Sequence, residues 1–264
     1  MPRTYAVVSN KGGAGKTTIA TLIAGEYALS DQRVLMIDAD SRQNLAGWWK
    51  LCHSKGNVPD NIEVTIAATQ RAIDDVLKKL ASFFDVVLID APGVDSVLQT
   101  TIIRSSDVVL SPVQPGIKEI EAAGQTVAEV NDINDRLGLS IVHMNVRTRI
   151  TLPGRNLEAY RYIRPFVAGL LDANYHTMLL ETELYERNIY REIQNGLGTL
   201  QMQDLTDSVR KARLEVKALV MRSTFAEWPD RLRRRHEQRD DRLPAVLSRA
   251  TPKACSSGYK RRPA

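Results

Sequence analysis

Cysteines and long apolar runs are scarce in this sequence. Its 264 residues include only two cysteines, Cys52 and Cys255, whose separation matches no metal-binding spacing and gives no disulfide framework. No apolar run approaches the roughly 20 residues that a membrane-spanning helix needs. The first residues, MPRTYAVVS, lead directly into a strand-like run rather than into a signal peptide. We therefore expect a cytoplasmic protein that has no membrane partner.

Positive charge is concentrated at the C-terminal end. The formal net charge is +5, but residues 222–264 alone hold 12 basic and 5 acidic residues. The rest of the chain is therefore slightly acidic. A basic tail favours a polyanionic partner such as nucleic acid, although a merely solubilising end explains the charge equally well. We interpret residues 1–228 as one folded domain and residues 229–264 as a basic, flexible tail.

The folded part carries short apolar runs without polar alternation, which is typical of strands buried on both faces. The predicted strands are residues 4–9, 33–38, 62–68, 85–90, 107–113 and 139–144. Helical spacing is found over 19–29, 71–84 and 117–137. After residue 147 the pattern is mostly helical, with one short strand near 176–180. This order predicts a doubly wound α/β fold, with a mostly parallel sheet, helices on both faces and ligands at the carboxyl ends of the strands.

A glycine-rich loop, SNKGGAGKTT (residues 9–18), joins the first predicted strand to the first predicted helix. In such a loop, backbone N–H groups surround a phosphate at the positive end of the helix dipole. We expect Lys16 to reach the β- and γ-phosphates, Thr17 to ligate Mg²⁺ and Thr18 to contact the α-phosphate. Asn10 stands where the general P-loop pattern has its first glycine. The predicted nucleotide-binding residues of the loop are Lys11, Gly12, Gly13, Ala14, Gly15, Lys16, Thr17 and Thr18.

Three aspartates follow predicted strands. Asp38 ends the second strand, Asp40 follows it by two residues and Asp90 ends the fourth strand, so all three are expected at the edge of the sheet that carries the glycine-rich loop. Asp90 closes an apolar strand of the kind that holds Mg²⁺ through water in nucleotide hydrolases. Strand-end aspartates can instead cap turns, but three of them beside one phosphate loop favour a metal and a water site.

The loop has a second lysine, Lys11, and the stretch KGGAGKTT (11–18) resembles the deviant phosphate loop of the ParA/MinD family of P-loop NTPases. VLMIDAD (34–40) and LIDAPG (88–93) resemble the two switch motifs of that family. The resemblance implies that ATP and Mg²⁺ bind in the loop and that Lys11 reaches the nucleotide of a second subunit. It also implies that Asp40 activates the attacking water and that Asp38 and Asp90 lie near Mg²⁺. Lys11, Lys16 and Asp40 are thus the predicted catalytic residues.

Within the family, DADSRQNLAGWW (38–49) resembles the corresponding stretch of the small ParA proteins and of the VirC-type ATPase. Ser41 replaces the usual proline there. By the same resemblance Asn145 contacts the adenine, although a strand-end asparagine in a turn is an equally good interpretation. His143 and the tryptophans Trp48 and Trp49 are interpreted as packing residues. The predicted DNA contacts are Arg231, Arg233, Arg234 and Arg235 of the tail.

The resemblance implies a DNA-partition ATPase. ATP binding would drive formation of a homodimer that binds DNA without sequence preference and associates with the nucleoid, and hydrolysis stimulated by a ParB-like protein would release it. A related ATPase that positions a protein cargo, assists T-DNA or conjugal transfer, or regulates polysaccharide synthesis remains open. A metabolic P-loop ligase is a third hypothesis, against which Lys11 argues because a lysine that crosses a dimer serves assembly.

Overall fold

The computed structural model describes residues 2–93 and 97–223. The strands are β1 (Arg3–Val7), β2 (Val34–Asp38), β3 (Ile62–Ile66), β4 (Val86–Asp90), β5 (Val108–Val113), β6 (Val142–Ile150) and β7 (Met178–Tyr185). The α-helices are α1 (Lys16–Leu29), α2 (Asn44–Ser54), α3 (Gln70–Leu80), α4 (Val97–Arg104), α5 (Ile117–Leu137), α6 (Glu158–Asp172), α7 (Asn188–Gln194) and α8 (Asp207–Ser223).

The strands form one seven-stranded sheet in the order β3-β2-β4-β1-β5-β6-β7. Every pair of neighbouring strands is parallel. The chain winds from β1 towards β3 on one side and from β5 towards β7 on the other, so the loop after β1 lies at the centre of the sheet. Ligands bind at this position in doubly wound sheets. The predicted fold class is confirmed.

Helices cover both faces of the sheet. Side chains of α1, α2, α7 and α8 pack with residues such as Tyr5, Met36 and Leu88 on one face. Residues of α3, α4 and α5 pack with the alternate strand residues, such as Ala6 and Ile37, on the other face. Because both faces are covered, the central strands are buried at every position, which explains their unbroken apolar runs.

The main correction to the predicted elements concerns β6. The strand was predicted at residues 139–144 but runs from Val142 to Ile150. Polar residues in its second half concealed it: Arg147 is buried but forms an ion pair with Glu183 of β7, 2.7 Å away. The neighbouring strand β7 likewise continues to Tyr185, inside a segment predicted to be helical. Helix α5 has the predicted bounds.

The boundary between a domain at 1–228 and a tail at 229–264 falls outside the described residues, so this division stays a prediction. The predicted DNA contacts Arg231, Arg233, Arg234 and Arg235 also lie outside them. In the described ranges, no helix combines the length and the hydropathy needed to cross a lipid bilayer.

Candidate nucleotide-binding site

The glycine-rich loop between β1 and α1 has the backbone shape of a phosphate cradle. Gly13 and Gly15 have φ angles of 74° and 97°, which glycine adopts without steric cost. Gly15 is the residue immediately before α1, so the loop ends at the positive pole of that helix. Asn10, which replaces the usual glycine, accepts a 2.6 Å hydrogen bond from the Gln99 amide and so ties the start of the loop to α4.

Lys16 is the inward-facing lysine of the loop. Its side chain is buried, and its Nζ lies 3.5 Å from the backbone oxygen of Lys11. Burial lowers the pKa of Lys16, although the nearby carboxylates of Asp90 and Asp40 oppose this shift. A buried ammonium with so weak a hydrogen bond gains greatly from an anion, so Lys16 is placed to bind a phosphate.

Thr17 and Asp90 meet directly beneath the loop. The Thr17 hydroxyl donates a 2.5 Å hydrogen bond to Oδ2 of Asp90, whereas Oδ1 of Asp90 is buried and accepts no hydrogen bond from the described residues. Burial raises the pKa of Asp90 to about 7, against the hydrogen bond from Thr17. A buried carboxylate oxygen without a donor beside a hydroxyl suits a hydrated Mg²⁺ ion, so the pair fits the metal role predicted for both residues.

Asp38 and Asp40 have different surroundings. Asp38 is fully buried, and its two oxygens accept hydrogen bonds from the backbone N–H groups of Asp40 (3.1 Å) and Ala46 (2.8 Å). Burial raises the pKa of Asp38, and these N–H groups oppose the shift. Asp40 is only half-buried and lines the cleft described below. The structure therefore brings Asp40 to the site and places Asp38 under it, as an anchor for the start of α2.

Lys11 faces away from the phosphate cradle. Its ammonium forms an ion pair with Glu119 in the first turn of α5, and 39% of its side chain is exposed. The N–H group of Lys11 donates to Ser9, which fixes its backbone in the loop. The two lysines of the loop thus differ in exposure: the side chain of Lys16 is buried, and that of Lys11 lies at the rim of the site.

Two clefts open beside the loop. The first has a volume of about 740 Å³ and is lined by residues 12–18, Asp40, Arg42 and Asp90, among others. The second, of about 300 Å³, lies between the loop and the ends of β6 and β7 and is mainly apolar, with Ile19, Leu22 and Leu184 in its wall. The two clefts share Ala14, Gly15, Thr18, Arg149 and Gln194. One elongated ligand can therefore occupy both clefts, with its anionic end in the first.

Asn145 does not line either cleft. It is buried in β6, and its amide donates to the hydroxyl of Thr177, 2.9 Å away. Thr148, three residues further along, lines the second cleft, and its buried hydroxyl has no hydrogen-bond partner in the described part of the chain. The contact of Asn145 with the base stays a prediction: its Oδ1 is buried and accepts no hydrogen bond from the described residues, but the residue lines neither cleft. Thr148 is a second candidate, which the sequence analysis did not name.

The site contains few metal ligands of its own. Residues 2–93 and 97–223 hold no group of three or more histidine, cysteine, aspartate or glutamate residues able to bind a metal ion. Proteins usually hold Mg²⁺ through one or two side chains together with phosphates and water, and the Thr17–Asp90 pair can provide such side chains. The cradle, the buried lysine and the Thr17–Asp90 pair define a nucleotide-binding protein of the P-loop class.

The comparisons with known proteins identify the family. The chain belongs to the VirC1 protein family, whose profile matches residues 3–224. It is 26% identical over 227 residues to Protein ParA of Rhizobium radiobacter. The aligned region covers 86% of this chain and 98% of the relative. The resemblance to ParA/MinD ATPases, and among them to ParA and VirC-type proteins, is confirmed.

Solved structures of low sequence identity share the fold. The MinC:MinD cell division complex of Aquifex aeolicus matches with a TM-score of 0.65 and 17% identity, over 86% of this chain and 98% of that chain. The septum site-determining protein MinD of Pyrococcus horikoshii, complexed with Mg-ADP, matches with a TM-score of 0.59 and 18% identity, over 83% and 95% of the two chains.

Proposed function

We propose that this protein is a ParA-type ATPase that partitions DNA. ATP binding assembles two chains face to face, the dimer binds DNA without sequence preference, and hydrolysis separates the chains and releases the DNA. A ParB-like partner stimulates the hydrolysis. In the cell, the protein is cytoplasmic and associates with the nucleoid in its ATP-bound form.

The observation that carries this proposal is the opposite orientation of the two loop lysines. Lys16 is buried beside the cradle, whereas Lys11 is half-exposed and does not line the cleft of its own chain. A lysine that holds the nucleotide of its own subunit would be expected to face the cradle. Lys11 instead lies at the rim, where it pairs with Glu119, and by exchanging this partner for a phosphate carried by another molecule it would let nucleotide binding recruit a second subunit.

We expect the nucleotide to extend across the two clefts in one orientation. The anionic phosphates occupy the cradle and Lys16, and the base occupies the smaller, apolar cleft, where the Thr148 hydroxyl lacks a partner. Thr17 and Asp90 would hold Mg²⁺, which supplies positive charge against the phosphates. Asp38, predicted to lie near Mg²⁺, acts through the backbone of the loop that carries Asp40.

Hydrolysis requires a positioned water, and Asp40 is the candidate to orient it. Its carboxylate lines the phosphate cleft and accepts only the backbone N–H of Arg42 among the described residues, at 3.0 Å. Oxygen atoms of Asp40 therefore remain available to accept a hydrogen bond from water. We expect slow turnover by the isolated protein, because further positive charge must reach the γ-phosphate from Lys11 of a second chain or from the stimulating partner.

DNA binding has two candidate surfaces. One is the tail, with Arg231, Arg233, Arg234 and Arg235. The other is α8, where Lys211 and Lys217 are exposed. Deletion of residues 229–264 tests the tail, and Lys211→Glu combined with Lys217→Glu tests the helix. The surface that matters is the one whose change weakens DNA retention, steeply with salt, while ATP hydrolysis is preserved.

The decisive experiment compares sedimentation and retention on random DNA with Mg·ATP, Mg·ADP and no nucleotide. The proposal requires a dimer and DNA retention with Mg·ATP alone. Lys11→Ala should bind nucleotide but remain monomeric, and Lys50→Ala, which changes an exposed lysine of α2, is its matched control. A wild-type protein that stays monomeric with a non-hydrolysable ATP analogue contradicts the proposal.

The match to the VirC1 protein profile favours a second candidate, assistance of T-DNA or conjugal transfer by the same ATP-driven dimer. The two candidates differ in what a deletion strain loses. A partition protein is needed to retain a plasmid through cell division, whereas a transfer protein is needed for the frequency of transfer to recipients. Both quantities can be measured in one strain.

A further inference from the structure

Arg149 occupies a bulge in β6 and has a backbone conformation that is unfavourable for arginine. On β6, Arg147 pairs with Glu183 of β7 and Ile150 pairs with Tyr185, so three steps on one strand match two on the other. An extra residue of this kind bends the strand and redirects a side chain. Arg149 has a φ angle of 52°, in the left-handed region that glycine adopts freely and arginine does not.

The bulge changes the direction of the Arg149 side chain. In a regular strand, Arg147 and Arg149 would point to the same face of the sheet. Arg147 is buried against Glu183, whereas Arg149 is exposed and lines both the phosphate cleft and the second cleft. The residue with the unfavourable backbone conformation is therefore the one whose guanidinium group lies at the junction of the two clefts.

The charge of Arg149 is not neutralised by a neighbouring carboxylate. Two other arginines of the second cleft are paired, Arg187 with Glu215 and Arg191 with Glu186. Within residues 2–93 and 97–223, the guanidinium of Arg149 forms no ion pair. It is thus a cation without a countercharge in this part of the chain, directed at the space where Gly15 and Thr18 line both clefts.

We propose that Arg149 binds the α-phosphate of the nucleotide and so holds the junction between its phosphates and its ribose. This inference rests on the proposed nucleotide site. A nucleotide that has its phosphates in the cradle and its base in the second cleft must pass its α-phosphate through the junction that Arg149 lines. A guanidinium group binds phosphate oxygens with paired hydrogen bonds, which fixes orientation as well as charge.

Contact with the α-phosphate predicts a particular pattern of affinities. ADP and ATP share the α-phosphate, so removal of the guanidinium should weaken Mg·ADP and a non-hydrolysable Mg·ATP analogue by the same factor, about tenfold or more, since a charge-assisted hydrogen bond is lost. Arg149→Gly should also raise or preserve the melting temperature without nucleotide, because glycine relieves the left-handed conformation.

The experiment titrates wild-type protein, Arg149→Gly, Arg149→Lys and Arg149→Asn with both nucleotides by calorimetry and records their melting temperatures. Asparagine tolerates positive φ better than most residues, so Arg149→Asn provides the test if the glycine variant does not fold. Arg161→Ala, which removes an exposed arginine of α6 that lines neither cleft, is the control for loss of one positive charge.

The inference is supported if Arg149→Gly and Arg149→Asn lose equal affinity for the two nucleotides and Arg149→Lys retains part of it, while Arg161→Ala binds like wild type. It is overturned if the folded variants bind within twofold of wild type, or if only the ATP analogue is affected. The second result would place Arg149 at the γ-phosphate. A wild-type protein that binds neither nucleotide would instead contradict the proposed function itself.

Discussion

Lys11 and Glu119 form an ion pair that joins the phosphate loop to the first turn of α5. The hydrogen bond from Lys11 lowers the pKa of Glu119, so the carboxylate is charged at neutral pH. In this arrangement Lys11 is engaged within its own chain. If Lys11 must contact the nucleotide of a second subunit, this ion pair has to break first, and its free energy opposes assembly.

We therefore predict that Glu119→Gln strengthens dimerisation in the presence of a non-hydrolysable ATP analogue. A partly exposed ion pair contributes about 0.5–1 kcal/mol, and two such pairs break when a symmetric dimer forms, so the dimer dissociation constant should be lower by roughly five- to thirtyfold. Sedimentation equilibrium measures this constant. Glu121→Gln, an exposed glutamate on the same helix, controls for the loss of one negative charge. A weaker dimer in Glu119→Gln would show that Glu119 contributes to the assembled form instead.

Lys16→Ala should abolish nucleotide binding without destabilising the protein in the absence of nucleotide. The ammonium of Lys16 is buried, which lowers its pKa, and its hydrogen bond is a weak contact of 3.5 Å, so we expect the relief of a buried charge to offset the lost attraction to Asp90 and Asp40. We expect an equal or higher melting temperature without nucleotide, and loss of the increase that Mg·ADP gives to the wild type. Wild-type nucleotide affinity in this variant would reject the phosphate role of Lys16.

Substitutions of Asp38 and Asp40 should have different effects: the first should lower the stability of the protein, and the second should lower its rate of ATP hydrolysis. Asp38→Ala leaves the backbone N–H groups of Asp40 and Ala46 without their acceptor, at a cost of about 1–3 kcal/mol, and should lower the melting temperature by several degrees. Asp40→Ala should melt within about 2 °C of wild type, bind ATP and accumulate as a dimer, because it removes the residue that orients water. Asp38→Ala with normal stability but impaired Mg²⁺ binding would instead support the metal role predicted from the sequence.

The sequence was sufficient to predict the sheet and the phosphate cradle, because buried parallel strands and a glycine-rich loop are local patterns. It was not sufficient at β6. The polar residues of that strand are stabilised by side chains of β7, and such long-range pairs cannot be recognised in one sequence. The strand was predicted to end at Met144, which put Asn145 at the edge of the sheet. In the structure β6 continues to Ile150, so Thr148 and Arg149 are the residues nearer to that edge. The ion pair of Lys11 with Glu119 was likewise missed because it joins residues 108 positions apart.

We expect the protein to be less stable in mild acid than at neutral pH because of His143. It is fully buried between the hydroxyls of Ser111 and Thr177, each 2.8 Å from a ring nitrogen, and burial lowers its pKa to about 3. The unfolded chain binds a proton on this residue near pH 6.5, so its contribution is present above that pH and is lost as the pH falls towards 3.

The measurement is urea unfolding at pH 7.5 and pH 5.0 for wild type and His143→Asn. Between these pH values the free energy of unfolding should fall by about 2 kcal/mol more in wild type than in the variant. This figure follows from a change of about 1.36 kcal/mol for each pH unit below pH 6.5. The remaining histidines are present in both proteins, so their effects cancel in the comparison. Equal losses would mean that the imidazole carries a proton in the folded protein at pH 5.

Glu183 of β7 is a buried carboxylate that lies between β6 and α6. It contacts Arg147, at 2.7 Å, as well as Arg155 and Tyr160. Burial alone would raise the pKa of Glu183, but the hydrogen bonds from Arg155 and Tyr160 and the charge of Arg147 together lower it. The Glu183 carboxylate is therefore stabilised in its charged form by these three partners.

Glu183→Gln should lower the free energy of unfolding by about 3–5 kcal/mol, because it removes the nearer and buried countercharge of the Arg147 guanidinium and leaves only the exposed carboxylate of Glu181, 4.0 Å away. Glu181→Gln is the control on the same strand: its carboxylate is more than half exposed and pairs with Arg164 at 2.8 Å and with Arg147 only at 4.0 Å, so it should contribute less than about 1 kcal/mol. Urea unfolding at low and high salt distinguishes the two sites, since salt screens the exposed pair and leaves the buried one nearly unchanged. Equal and small effects of the two substitutions would mean that water reaches Arg147 and replaces the carboxylate.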